Sequence, residues 1–77
     1  EYKGINLDTL QELIDRKSLT EITPALLVEN GIAQKKDLVK ILGRGELKGG
    51  FKVTAHKFSA SAQKAIEAAG GSIEAIH

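Results

Sequence analysis

The side chains best suited to chemistry in this 77-residue sequence are its cations, and they are unevenly placed. Residues 35–57 hold seven lysines and arginines against two acids, Asp37 and Glu46, a local charge of +5. Residues 1–34 stand at −3 and residues 58–77 at −1, so the overall +1 conceals one concentrated basic block. Ammonium and guanidinium groups gathered in this way attract an anionic partner, and nucleic acid is the foremost class. A solvated lysine-rich surface has the same composition, and charge alone leaves both readings open.

The other reactive residue types lack the arrangements that catalysis needs. Ser59 and Ser61 lie near His56, but no GxSxG elbow surrounds them, and Ser59 fits a helix N-cap. Glu12 and Asp15 are spaced as helix-surface groups, with Arg16 four residues after Glu12. His56 and His77 have no clustered carboxylates to complete a metal set, and the absence of cysteine removes both disulfides and zinc thiolates. Gly43, Gly45, Gly49 and Gly50 match neither GxxxxGK[ST] nor a GxGxxG run opening a helix. The expectation is no enzyme, no cofactor, no metal and no small-molecule substrate. No apolar run approaches the roughly 20 residues of a membrane span.

Short elements must position the basic block. Leu7, Leu10, Leu13 and Ile14 form one apolar stripe, predicting a helix over residues 6–16 with Asn6 as N-cap. Asp8 near its start and Arg16 and Lys17 near its end suit the helix dipole. Thr23 as N-cap and Pro24 at the first helical position open a second helix over residues 24–30, which Gly31 closes. Residues 38–42, Leu-Val-Lys-Ile-Leu, read as a strand stopped by a Gly43-Arg44-Gly45 turn. Residues 51–56 alternate as another, with Phe51, Val53 and Ala55 inward and Lys52, Thr54 and His56 outward. Ser59 opens a last helix whose stripe, Ala62, Ala65, Ile66 and Ala69, is nearly all alanine and requires a close neighbour. Gly70 and Gly71 end it, and residues 72–76 alternate as a final strand. The expected fold is a single small α/β domain over residues 1–77, mixed α+β, with three helices and short strands. Its core is small, because a chain of this size buries only about 60% of its surface.

If the strands at 38–42 and 51–56 pair, Lys40, Lys52 and His56 converge with Arg44 and Lys48 from their connecting loop. Tyr2, Phe51 and Phe58 are the only aromatics. That scarcity argues against the stacking platforms of single-strand binders and the aromatic-rich RNA-recognition sheet, and for recognition of structured RNA by phosphate and shape contacts.

Several separated blocks resemble one family. They are Thr23-Pro24-Ala25-Leu26-Leu27, Asn30-Gly31-Ile32, the run from Lys40 to Leu47 (KILGRGEL), His56 to Ala62 (HKFSASA) and Ile66 to Gly71 (IEAAGG). In this order and spacing they resemble the C-terminal globular domain of the bacterial large-subunit ribosomal protein L-fifteen family. The resemblance covers residues 5–77. It implies a compact fold shared with the L-eighteen-e proteins. It also implies a structural constituent of the large ribosomal subunit that binds 23S rRNA, touches neighbouring large-subunit proteins, and supports assembly and translation in the cytoplasm. Family members carry a long Gly/Arg/Lys-rich N-terminal extension, and nothing like it occurs in these 77 residues, so much of the RNA contact is expected outside them.

The candidate RNA-binding residues are Lys35, Lys36, Lys40, Arg44, Lys48, Lys52, His56 and Lys57, acting by phosphate contact with no chemical step. Arg44 stands first: its flanking glycines would let the backbone approach RNA, and a guanidinium grips phosphate bidentately. The competing reading is a protein-docking module within a ribonucleoprotein. In that case the acidic first third (Asp8, Glu12, Asp15, Glu21, Glu29) faces a basic neighbour, and the missing extension carries the RNA binding.

Overall fold

The leucine stripe folds as expected, and the rest of the chain is arranged around it. In the computed structural model, which describes residues 2–76, helix α1 spans Leu7–Lys17 and buries Leu7, Leu10, Leu13 and Ile14. Glu1 and His77 lie outside the described residues. Strand β1 (Tyr2–Asn6) precedes α1; β2 (Glu21–Ile22), α2 (Pro24–Glu29) and β3 (Leu38–Leu42) follow it. The chain continues with β4 (Lys52–Ala55), β5 (Lys57–Phe58), α3 (Ala60–Ala68) and β6 (Ser72–Ala75). The result is the small α+β fold expected, with three helices and, among the described residues, six short strands.

The caps explain where two of the helices start. Thr23 Oγ1 accepts a hydrogen bond from the Leu26 N–H at 3.2 Å, and Ser59 Oγ accepts from the Ala62 N–H at 3.1 Å. Asn6 occupies the N-cap position of α1 but does not cap with its side chain. Its Oδ1 instead accepts from the Arg44 N–H at 3.3 Å, while the Arg44 carbonyl accepts from the Asp8 N–H at 3.2 Å. The loop after β3 therefore takes over the capping of α1.

The strands form two parallel sheets, ordered β1-β3-β5 and β2-β4-β6. Tyr2 sits opposite Leu38 and Gly4 opposite Lys40, which is in turn opposite Lys57. Lys52 sits between Glu21 and Ser72, and Thr54 lies opposite Glu74. The expected pairing of residues 38–42 with 51–56 does not occur: β3 and β4 are the central strands of different sheets. Parallel strands need a crossover rather than a tight turn, and here each crossover passes through the other sheet. The inner faces of both sheets and one side of each helix share one core. Its fully buried members include Leu7, Leu10, Leu13, Ile22, Leu27 and Ile41. Each such side chain contributes about 1.5–3 kcal/mol relative to exposure.

Two glycine pairs meet where the second sheet begins. A Cβ on Gly50 would lie 2.8 Å from the Gly70 carbonyl oxygen, and one on Gly71 would overlap the Phe51 carbonyl oxygen. That close approach lets the Ser72 N–H reach the Phe51 carbonyl at 3.1 Å and bring β6 alongside β4.

Candidate nucleic-acid interface

Alternation along β3 fixes the solvent face of the first sheet. Val39 and Ile41 point into the core, so Leu38, Lys40 and Leu42 point out. Register then places Tyr2, Gly4 and Asn6 of β1 and Lys57 of β5 on that same outer face. Among the described residues this face holds two lysines and no carboxylate. The Lys57 ammonium reaches across the central strand to lie 5.5 Å from the centroid of the Tyr2 ring, a cation–π contact.

The outer face of the second sheet has the opposite character. Lys52 is its only cation, set beside Glu21 and Glu74. Lys52 Nζ lies 3.0 Å from Glu74 Oε1. That hydrogen bond, the charge of Glu74 and the more distant charge of Glu21 hold the Lys52 ammonium above its ordinary pKa of 10.5. Lys52 is thus already paired with Glu74, and a phosphate would have to displace that carboxylate.

Arg44 follows β3 in the loop that covers the start of α1. Its side chain is 77% exposed, and Nε lies 3.6 Å from Asp8 Oδ2, an exposed pair of small energetic weight. With Lys3, Asn6 and Thr9 it lines a polar cleft of about 300 Å³. The glycines beside Arg44 serve a different purpose from the one expected. Gly43 packs against Ser61 and Ala62 of α3, and Gly45, at φ +94°, packs against Asp8. Both peptide groups of Arg44 are engaged inside the protein, so the guanidinium, and not the backbone, is the part available to an anion.

The remaining candidates are dispersed. Lys35 and Lys36 occupy an exposed turn closed by the Gln34 N–H donating to Asp37 Oδ2 at 2.8 Å. Lys48 is exposed in the loop that Leu47 anchors in the core, and its N–H donates to Gln11 Oε1 at 2.7 Å. His56 stands where the chain crosses from β4 to β5. Its N–H donates to the Val39 carbonyl at 3.0 Å, and its Nδ1 accepts from the Val39 N–H at 2.9 Å. An accepting Nδ1 places the ring proton on Nε2, and the half-buried imidazole serves as a tie between the sheets.

The structure thus brings Lys40 and Lys57 together on one face and puts Arg44 in a neighbouring cleft. Lys35, Lys36, Lys48, Lys52 and His56 do not join them in a single patch. Sequence reasoning missed Lys3 and Tyr2, both on β1. Neither had a usable signal, because β1 has a single buried position, Ile5, and its register against β3 is what places them. Among the described residues no three His, Asp or Glu side chains gather as a metal set, and no helix is long and apolar enough to cross a membrane.

The fold defines the class, a small α+β domain of two interleaved parallel sheets, and comparison with known proteins gives the family. Residues 4–74 match the family of ribosomal proteins 50S-L15, 50S-L18e and 60S-L27A, and the chain belongs to it. It is 58% identical over 73 residues to the large ribosomal subunit protein uL15 of Christiangramia forsetii, covering 94% of this chain and 49% of that protein. The uL15 of Flavobacterium johnsoniae is 58% identical over 72 residues, and that of Koribacter versatilis 49% over 76, each again about half the relative's length. The chain spans about half the length of the curated relatives it matches.

Proposed function

We propose that this chain is the globular part of a structural constituent of the large ribosomal subunit, working in the bacterial cytoplasm. In this reading it binds 23S rRNA by phosphate contacts, touches neighbouring large-subunit proteins, and supports subunit assembly and translation without a chemical step. The observation that carries it is the outer face of the β1-β3-β5 sheet, which among the described residues holds two lysines and no carboxylate, in a chain whose relatives are named large ribosomal subunit protein uL15. Lys40 and Lys57 on that face, with Lys3 and Arg44 at the adjoining cleft, neutralise phosphates and set the domain's orientation. Lys35, Lys36 and Lys48 add outlying contacts. Lys52 and His56 contribute least, one paired with Glu74 and the other tied to β3.

A salt series with large-subunit rRNA, and an unrelated structured RNA as control, tests this reading. Affinity should fall steeply with salt and favour the cognate RNA. Replacing Lys3, Lys40, Arg44 and Lys57 together by Gln should flatten the log–log slope by about 3–4, near 0.9 for each phosphate that is no longer neutralised. A folded protein that shows no salt-dependent preference for large-subunit rRNA would return the RNA contact to other parts of the longer relatives.

A further inference from the structure

The outer face of the β1-β3-β5 sheet carries an aromatic ring that the core does not use. Tyr2 is 42% exposed and its register neighbour Leu38 is 43% exposed, so two large apolar side chains stand together in water. We infer that Tyr2 is a stacking platform for one unpaired nucleobase of the bound RNA, with Lys57 and Lys40 taking the phosphates beside it. This rests on the RNA-binding reading above and adds the kind of RNA recognised, a nucleotide bulged out of a stem rather than continuous duplex.

Three observations favour an RNA occupant over a protein one. Among the described residues the face presents two in-register lysines and no carboxylate, which complements a polyanion; an apolar protein surface would leave both ammonium groups to be desolvated without a partner. The Lys57 ammonium lies over the Tyr2 ring, 5.5 Å from its centroid, so a base stacking on that face would move aside a cation that is then at hand for its phosphate. Gly4 keeps the ground between Tyr2 and Asn6 low: Leu42 lies across it, and a Cβ there would come within 2.8 Å of Leu42 Cδ1. A flat, partly apolar floor with one ring and flanking cations suits a nucleobase, since base–aromatic stacking tolerates any sequence. One ring serves one base, which is compatible with the scarcity of aromatics elsewhere in the chain.

The test compares two RNA hairpins of the same stem, one fully paired and one with a single bulged 5-iodouridine. The expected result is tighter binding of the bulged hairpin and an ultraviolet cross-link from the iodouridine that maps to Tyr2. Tyr2→Ala should lose about 5- to 150-fold in affinity for the bulged hairpin, the range that one stacked base is worth, and leave the paired hairpin unchanged. Tyr2→Phe should bind like the parent protein, which separates loss of the ring from loss of the fold. Equal binding of both hairpins by Tyr2→Ala and parent, with binding still falling steeply with salt, would overturn the stacking role and leave the phosphate reading intact. Protection of Tyr2 by large-subunit proteins, and not by RNA, would overturn the stacking role as well. Failure of the parent protein to bind either hairpin or large-subunit rRNA would remove the RNA-binding reading itself.

Discussion

Gly43→Ala should destabilise the domain through one contact that a second substitution can relieve. A Cβ at position 43 would lie 2.8 Å from Ser61 Cβ and 3.1 Å from the Ala62 nitrogen, and would overlap Ser61 Oγ. Carbon atoms rest comfortably at about 3.5–4.0 Å, so the shortfall against Ser61 Cβ is about 0.7 Å or more. Ser61 Oγ can rotate away, giving up its 3.3 Å contact with Ser59 Oγ, but its Cβ is fixed by the helix. The end of β3 or the first turn of α3 must therefore shift, and overpacking of this kind costs about 1–3 kcal/mol. In a domain of this size that is a fall in Tm of about 5–20 °C. Ser61→Gly alone should cost only about 0.5 kcal/mol, from helix propensity. In the double variant both Ser61 atoms are gone and the 3.1 Å approach to the Ala62 nitrogen remains, so stability should recover to within about 1 kcal/mol of the parent. Urea unfolding of the four proteins measures the coupling directly. A Gly43→Ala protein that melts within 2 °C of the parent (roughly 0.3–0.5 kcal/mol) would refute the steric reasoning, as would a double variant equal to the sum of its parts.

Two further outcomes follow from local geometry. The Lys52 ammonium, held by Glu74 and aided by Glu21, should titrate above 10.5 in an NMR titration, and Glu74→Gln should bring it back towards that value. Because this folded-state pKa is raised, the pair's stabilisation is complete below about 10.5 and is lost as pH climbs through the raised value; loss beginning near neutrality would contradict the assignment. Thr23→Ala removes the side-chain cap of α2 and should lower unfolding free energy by about 1 kcal/mol, read by thermal melts; no change would mean that the 3.2 Å bond is not formed in solution.

The helices were legible in the sequence because their signals are local. The leucine stripe of α1, Thr23-Pro24 and Ser59 each act within a few residues, and Gly31 and Gly70 adopt the positive φ angles, +74° and +88°, that helix exits favour. Strand β1 was not legible because Ile5 is its only fully buried residue, and one apolar position makes no alternation. Strands β2 and β5 are two residues each, too short for any periodicity. Pairing was less legible still, since the partner of each strand lies beyond an intervening strand of the other sheet. For that reason the basic block, compact in sequence, is divided in space: Lys40 and Lys57 share a face that Lys52, nearer to Lys57 along the chain, does not join. Arg44 was recognisable as a candidate, but the task of its neighbouring glycines depends on α1 and α3 and could not be read beside it.

The interleaving of the two sheets also governs how such a chain can fold as it is synthesised. Odd-numbered strands build one sheet and even-numbered strands the other, so neither sheet is a continuous stretch of sequence. The first sheet cannot close until Phe58 has emerged, nor the second until Ala75 has, and the inner faces of both bound a common core. No N-terminal piece that stops before Phe58 contains a finished sheet on which the rest could grow. Long-range parallel pairing of this kind delays ordering until late in synthesis. The nascent domain therefore keeps both sheets open until Phe58 is in place, and its shared core stays incomplete until the last strand arrives.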